Sequence, residues 1–408
     1  MRREPRAVAS LVATAIFVLG FVCQSAHAQT LDVLHSFSGG ADGLGPMGAP
    51  LVDSAGNVFG MTYAGGIANC VAPFGCGTVF KLDASGNKTV LYEFTGSTDG
   101  GSPSAGLIED KAGNLYGTTT YGGYQRCGVP SACGTVFEVD ASGKFRLLYR
   151  FQGGADGANP QGALVRDSRG NLYGTTVSGG VTSSSECTIG CGTVFKINSA
   201  GKESILYRFT GGADGLNPYG ALVLDNAGNL YGTTLEGGDP NCFSGLGCGV
   251  VFKVDASGNE TVLHAFDNGS DAQFPQAGLV MNSDGFMYGA TNGGGTSGIG
   301  AVYKIDTAGN ESVIYNFVPN TGGFPAASLV HDAKGNLYGV TFIGGLFNSG
   351  TVFKLNSAGD YTLLYSFGEN GGANPEGLTR SAAGDLYINN LNGSFSSSAL
   401  GTVVEIAP

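Results

Sequence analysis

The chain has no tryptophan, only four histidines, and few charged residues, 13% of its 408. Lysine and arginine total 20 against 32 aspartates and glutamates. A phosphate-binding surface needs clustered basic side chains, so nucleic acid is not an expected partner. Helical periodicity is missing, which argues against a bundle or an α/β fold. Neither a metal-binding histidine pair nor a nucleophile elbow is present. The one long apolar run, residues 7–22, is too short and wrongly flanked for a stable transmembrane helix, so the mature chain is expected to have no membrane span.

What the chain has in abundance is glycine, 72 residues, with Val, Thr, Tyr and Phe in short runs. This is the composition of many short strands joined by tight turns. At 42% the apolar fraction is too high for a disordered glycine-rich chain.

The N-terminus reads as a signal peptide, residues 1–28. Arg2, Arg3 and Arg6 form a basic start, and Ala26-His27-Ala28 supplies small residues for cleavage before Gln29. A protein that is secreted, extracellular or periplasmic is expected. The bulky Val22 before Cys23 argues against lipid attachment. Removing Arg2, Arg3, Arg6 and Glu4 leaves 17 basic and 31 acidic residues, a net charge of −14. That acidity serves solubility or cation binding.

The segment Gly113-Asn114-Leu115-Tyr116-Gly117-Thr118-Thr119 returns at 170–176 and 228–234, with weaker copies at 56–62, 285–291, 335–341 and 384–390. Gly77-Thr78-Val79-Phe80-Lys81-Leu82 recurs from Gly134, Gly192, Gly249, Gly300, Gly350 and Gly401. Thr89-Val90-Leu91-Tyr92-Glu93-Phe94 recurs near Phe145, Ser204, Thr261, Ser312, Tyr361 and Leu31. Seven copies of each give a period of 50 to 58 residues. Each period divides into four apolar runs; in the second copy these are 105–109, 115–120, 135–140 and 146–151. Four antiparallel strands per period make one propeller blade. The expected fold is all-β, a single domain over 29–408, a seven-bladed β-propeller of four-stranded blades. The repeat begins with a fourth strand and ends with a third. Residues 31–37 are therefore expected to pair with 401–407 and close the ring, leaving no open edge.

The string Gly-Asn-Leu-Tyr-Gly-Thr-Thr…Gly-Thr-Val-Phe-Lys…Leu-Tyr-Arg-Phe resembles the tandem repeat of the bacterial GloVer family, over residues 31–406. The resemblance implies an exported protein and no defined reaction. Members carry varied C-terminal anchors. The segment Val404-Glu405-Ile406-Ala407-Pro408 has neither a sorting signal nor a hydrophobic tail, so it is not expected to anchor the protein.

Eight cysteines fall in pairs, Cys70/Cys76, Cys127/Cys133, Cys187/Cys191 and Cys242/Cys248. Each pair lies between the second and third strands of blades one to four. Even number, export and matching position point to four local disulfides. The spacings do not suit zinc. The second signal is Asp-Gly in the loop that leads into each early blade, at Asp42, Asp99, Asp156 and Asp214, with Asp271-Ala272 a degraded copy. These loops share a face with the cysteine loops and are expected near the central opening. One reading is a carboxylate ring that binds a glycan or a cation, for which Ca²⁺ is the candidate; no other cofactor is expected. The other reading is that each Asp caps its own turn. The Asp-x-x-Gly-Asn turns, such as 53–57 and 225–229, lack the ligand pattern of a calcium loop and read as hairpins. Among the histidines, His35 and His264 replace the Tyr of the fourth-strand motif, while His331 lies on a first strand. No catalytic constellation emerges from them.

The leading expectation is an extracellular binding module that recognises a glycan or protein through the disulfide-bearing face. The alternatives are a propeller lyase or lactonase, on which fold alone cannot decide, and a purely structural surface protein.

Overall fold

The computed structural model describes residues 30–407 apart from 68–69, 71–74, 125–132, 182–186, 268–270, 326, 369–370 and 394–399. The segment read as a signal peptide lies outside the described residues. Seven four-stranded antiparallel sheets follow one another around the ring. The second blade is typical, with strands Ile108–Glu109, Leu115–Thr119, Thr135–Val139 and Phe145–Arg150 running from the axis outward. The only helical elements among the described residues are three short 3₁₀ turns, and none is long and apolar enough to cross a membrane.

The ring closes as the repeat phase requires. Leu31–Ser36 pairs antiparallel with Thr402–Ile406, from Leu31 opposite Ile406 to Ser36 opposite Thr402. The first described strand thus becomes the outer strand of the last blade, and the third strand keeps no free edge.

The two commonest motifs are coupled by volume. On adjacent strands Gly117 faces Phe137, and the same pairing recurs as Gly60 with Phe80, Gly174 with Phe195, Gly232 with Phe252 and Gly339 with Phe353. A Cβ on Gly60 would lie 2.6 Å from the Phe80 ring, so glycine is needed to make room for the aromatic ring. In the seventh blade both partners change together, to Ile388 opposite Val404. Each third-strand ring also meets, edge to face, the Phe that ends the fourth strand of the preceding blade. Phe94 lies 5.1 Å from Phe137, Phe151 5.0 Å from Phe195 and Phe209 5.0 Å from Phe252. All six rings are fully buried. Burial contributes about 1.5–3 kcal/mol per ring, and the edge-to-face pairing roughly 0.5–1.5 more.

The Asp-x-x-Gly-Asn turns are self-capped hairpins. Asp110 Oδ1 accepts from the backbone N–H of Ala112 and Asn114, while Oδ2 accepts from the Asn114 side chain and the Tyr116 hydroxyl. At Asp332, burial alone would raise the carboxyl. Hydrogen bonds from Asn336, Lys334 and Tyr338 outweigh it and bring the group down to about 2.

Candidate functional site

Strand alternation puts the second-to-third and fourth-to-first connections of every blade at one end, here called the upper face. The blades are joined there by a repeated hydrogen bond. The residue before the proline that opens each blade donates its N–H to the blade before it: Ser102 to Cys76, Asn159 to Cys133, Asn217 to Cys191 and Phe274 to Cys248, at 2.8–3.0 Å. Phe324 and Asn374 make the same bond to Ile299 and Ser349. The glycine after each acceptor lies against that proline. Gly77 has φ +91°, and a Cβ there would come within 2.7 Å of Pro103 Cδ.

The cysteine loops sit at these junctions. Cys70–Cys76, Cys187–Cys191 and Cys242–Cys248 are disulfides within single loops, with Cα atoms 5.7, 4.9 and 5.6 Å apart. Cys133 is also in a disulfide. Its expected partner Cys127 lies outside the described residues.

Four described Asp-Gly carboxylates are turned outward, to the outermost strand of the preceding blade, and none lines the central opening expected for them. Asp99, Asp156 and Asp214 each accept from the Tyr of the fourth-strand motif: Tyr92, Tyr149 and Tyr207, each at 2.9 Å. They also accept the backbone N–H of Thr95, Gln152 and Thr210. Asp42 instead meets His35 at 2.9 Å and Lys88 at 2.8 Å. Burial would raise the Asp42 carboxyl, but bonds from Lys88, Ser38 and His35 bring it to about 2. The outward turn follows from chain geometry, because the loop must bend back from the fourth strand and its carboxylate is the nearest acceptor for the exposed turn.

A cavity of about 170 Å³ lies on the axis and is lined by the opening segments of all seven blades, which in blades two to six lead into the first strand. Most of its lining is Gly, Ala and Ser, because these neighbouring segments crowd one another. A Cβ on Gly220 would lie 2.8 Å from the Ala277 carbonyl oxygen. Met47, Ser104, Gln161, Tyr219, Gln276 and Glu376 also line the cavity. Each directly follows the proline that opens its blade, so one position of the repeat places Met, Ser, Tyr, Glu and two Gln side chains around the axis. The residues before the prolines that open blades two to seven are held at positive φ: Ser102 (51°), Asn159 (59°), Asn217 (57°), Phe274 (59°), Phe324 (54°) and Asn374 (58°). For Phe this is a true outlier, and such strain gathers where a structure must aim side chains.

Burial pushes the Glu376 carboxyl up to about 7. Tyr219 is raised by burial and by the nearby Glu236 carboxylate. Tyr121 is raised by burial and by its neighbours Tyr63 and Tyr219, so three half-buried tyrosines stand together on this face. Exposed large apolar side chains gather there as well. Among the described residues, Tyr124, Ile189, Phe243, Leu246, Val318, Leu346, Phe347 and Leu400 all belong to upper-face loops; only Val33 and Leu363 do not.

None of the axial residues stood out in the sequence, because the signal was the reverse of a motif: the single position after each proline where the repeat does not repeat.

The family model described as the Gloeobacter/Verrucomicrobia repeat matches residues 18–245 and 243–408. No protein of curated function matches the chain in sequence. Among solved structures, a catalytically inactive variant of virginiamycin B lyase from Staphylococcus aureus, with quinupristin, is similar over 93% of this chain and 99% of its own, at 13% identity and TM-score 0.61. A gluconolactonase from Xanthomonas campestris is similar over 93% of this chain and 90% of its own, at 13% identity and TM-score 0.46. At 13% identity the likeness to the lyase is one of fold.

Proposed function

The chain belongs to the Gloeobacter/Verrucomicrobia repeat family, and on that footing we propose that it is an exported binding module whose upper face recognises a glycan or a glycan-bearing protein. The observation that carries this reading is the axial ring: a sequence that repeats its core closely places Met47, Ser104, Gln161, Tyr219, Gln276 and Glu376 at one repeated position. Core packing asks for no such variety. A cavity of about 170 Å³ holds one sugar substituent or chain end, not an oligosaccharide. The rest of the ligand lies over Tyr63, Tyr121 and Tyr219, whose rings suit the apolar face of a sugar. Exposed Phe243, Leu246 and Phe347 extend the surface outward. In this reading Asp42, Asp99, Asp156 and Asp214 hold the loops and do not touch the ligand. Disulfides persist in oxidising compartments, which supports export.

A glycan array probed with the oxidised chain tests this reading. Binding should appear, and Tyr219→Ala and Gln161→Ala should each weaken it at least about tenfold. Asp99→Asn should leave it unchanged. Binding that ignores both axial changes overturns the axial assignment.

One observation favours an enzyme. A carboxyl held near 7 inside a cavity, as Glu376 is, suits a general acid or base. Under that reading the bound glycan is consumed, and Glu376→Gln abolishes turnover while sparing binding.

A further inference from the structure

The junction between each fourth strand and the next blade repeats with changed chemistry. A fourth-strand Tyr or His, the Asp of the following loop, and the first residue of the next fourth strand come together there. At the junction of blades seven and one these are His35, Asp42 and Lys88. The Lys88 ammonium, its side chain only 9% exposed, bonds Asp42 Oδ1 at 2.8 Å and also the Asp42 carbonyl. Its charge lies 4.9 Å from the centre of the Phe37 ring.

The junction of blades four and five has the same plan with one change. His264 Nε2 meets Asp271 Oδ2 at 2.9 Å, and the His264 ring stacks edge to face on Phe266 as His35 does on Phe37. Asp271 Oδ1 is fixed by the Ala272 N–H. The place of Lys88 is taken by Glu311, whose Oε1 is buried with no hydrogen-bond partner. One ligand atom from each of His264, Asp271 and Glu311 lies within 4.8 Å of the others. The first junction therefore carries its own cation, whereas the second replaces that cation with another carboxylate and leaves an oxygen unmatched. At two of the three junctions between, Tyr149 with Glu203 and Tyr207 with Glu260, a phenol stands where the imidazole would be.

We propose that His264, Asp271 and Glu311 bind a divalent transition-metal ion of the zinc class, which pins blade four to blade five. One imidazole nitrogen and two carboxylate oxygens suit such an ion, whereas calcium takes oxygen ligands alone. Bonds of about 2.0–2.2 Å put ligand atoms roughly 3.3–3.5 Å apart, so a side-chain rotation of about an ångström closes the site. Three protein ligands leave the fourth position to water. Asp267 and Tyr303 stand nearby, and the Glu311 and Asp271 charges add to burial in raising the Tyr303 hydroxyl.

The test is a zinc chloride titration of the oxidised chain, followed by calorimetry and by thermal unfolding. The unaltered protein should bind one equivalent saturably and unfold at a higher temperature with zinc, and calcium chloride should do neither. Glu311→Lys rebuilds the blade-seven arrangement. It should abolish zinc binding and raise the metal-free unfolding temperature. His264→Tyr copies the neighbouring junctions and should weaken zinc at least about tenfold, the low end of what even an outer partner of a metal ligand costs. If neither variant folds, histidine NMR of the unaltered protein with manganese chloride decides: broadening of His264 before His35 and His331 supports the site. Absence of saturable zinc binding, or unchanged affinity in Glu311→Lys, overturns it.

Discussion

The arc of blades one to four and the arc of blades five to seven make the same junction by different means. In the first arc a cysteine carbonyl accepts the N–H of the next blade: Ser102 bonds Cys76 at 2.8 Å and Asn217 bonds Cys191 at 3.0 Å. In the second arc Ile299, Ser349 and Leu400 accept the same bond at 2.7–2.9 Å with no disulfide beside it. The ring therefore does not need the bridges. What the bridges serve is the longer loops on the upper face of the first arc. Each small loop gains only about 2 kcal/mol from its bridge by chain entropy. That is modest against the rings buried at every junction.

The largest effect that would break this comparison is on closure, where the two arcs meet. Deleting residues 29–38 removes the outer strand of blade seven and strips Phe37 from Phe80, a contact of 5.2 Å. Loss of a single cooperative transition in urea is expected. A deletion variant that keeps the parent midpoint would show that the ring closes some other way.

Next in size is the Phe-over-Gly pair. Phe137→Ala should cost about 3–5 kcal/mol, measured by chemical denaturation. Val404→Ala should cost less, since a smaller side chain is removed. The double change Ile388→Gly with Val404→Phe should be far milder than Val404→Phe alone, because only the pair restores the room that Gly117 gives Phe137. Additive costs would refute the volume coupling.

A smaller effect concerns pH. Burial, reinforced by the Asp214 carboxylate, pushes Glu260 from its ordinary 4.5 up to about 7. The folded protein then holds a proton that the unfolded chain releases. This contribution to stability is complete below about 4.5 and is lost as pH rises through about 7. Glu260→Gln should raise the unfolding temperature at pH 8 and leave it nearly unchanged at pH 4. Equal shifts at both values would contradict the burial of this carboxyl.

The fold was legible because its packing is written in repeated residues. Gly with Phe, the self-capped Asp-x-x-Gly-Asn turns and the displaced fourth strand at 31–37 each recur or complete a pattern. The axial side chains were not, because the position after each proline reads Met, Ser, Gln, Tyr, Gln and Glu across the blades described there, and nothing in a repeat singles out what varies. The bent residues before those prolines were also hidden. A residue before proline ordinarily reads as extended, yet Phe274 and Phe324 are held at positive φ by their hydrogen bonds to Cys248 and Ile299. The Asp-Gly carboxylates were visible, but their direction was not. It depends on fourth-strand partners such as Tyr92 and Tyr207, seven residues earlier in each case.

Hydrogen exchange of the oxidised and the reduced protein tests most directly the claim that the repeat holds the ring while the bridges hold only the loops. Reduction should raise exchange at residues 187–191 and 242–248 and leave the third strands Thr193–Ile197 and Val250–Val254 as protected as Ala301–Ile305 and Thr351–Leu355, which lie in the arc without bridges. Loss of protection in the first two strands but not the last two would show that the disulfides carry the fold of their own arc, and would contradict the account.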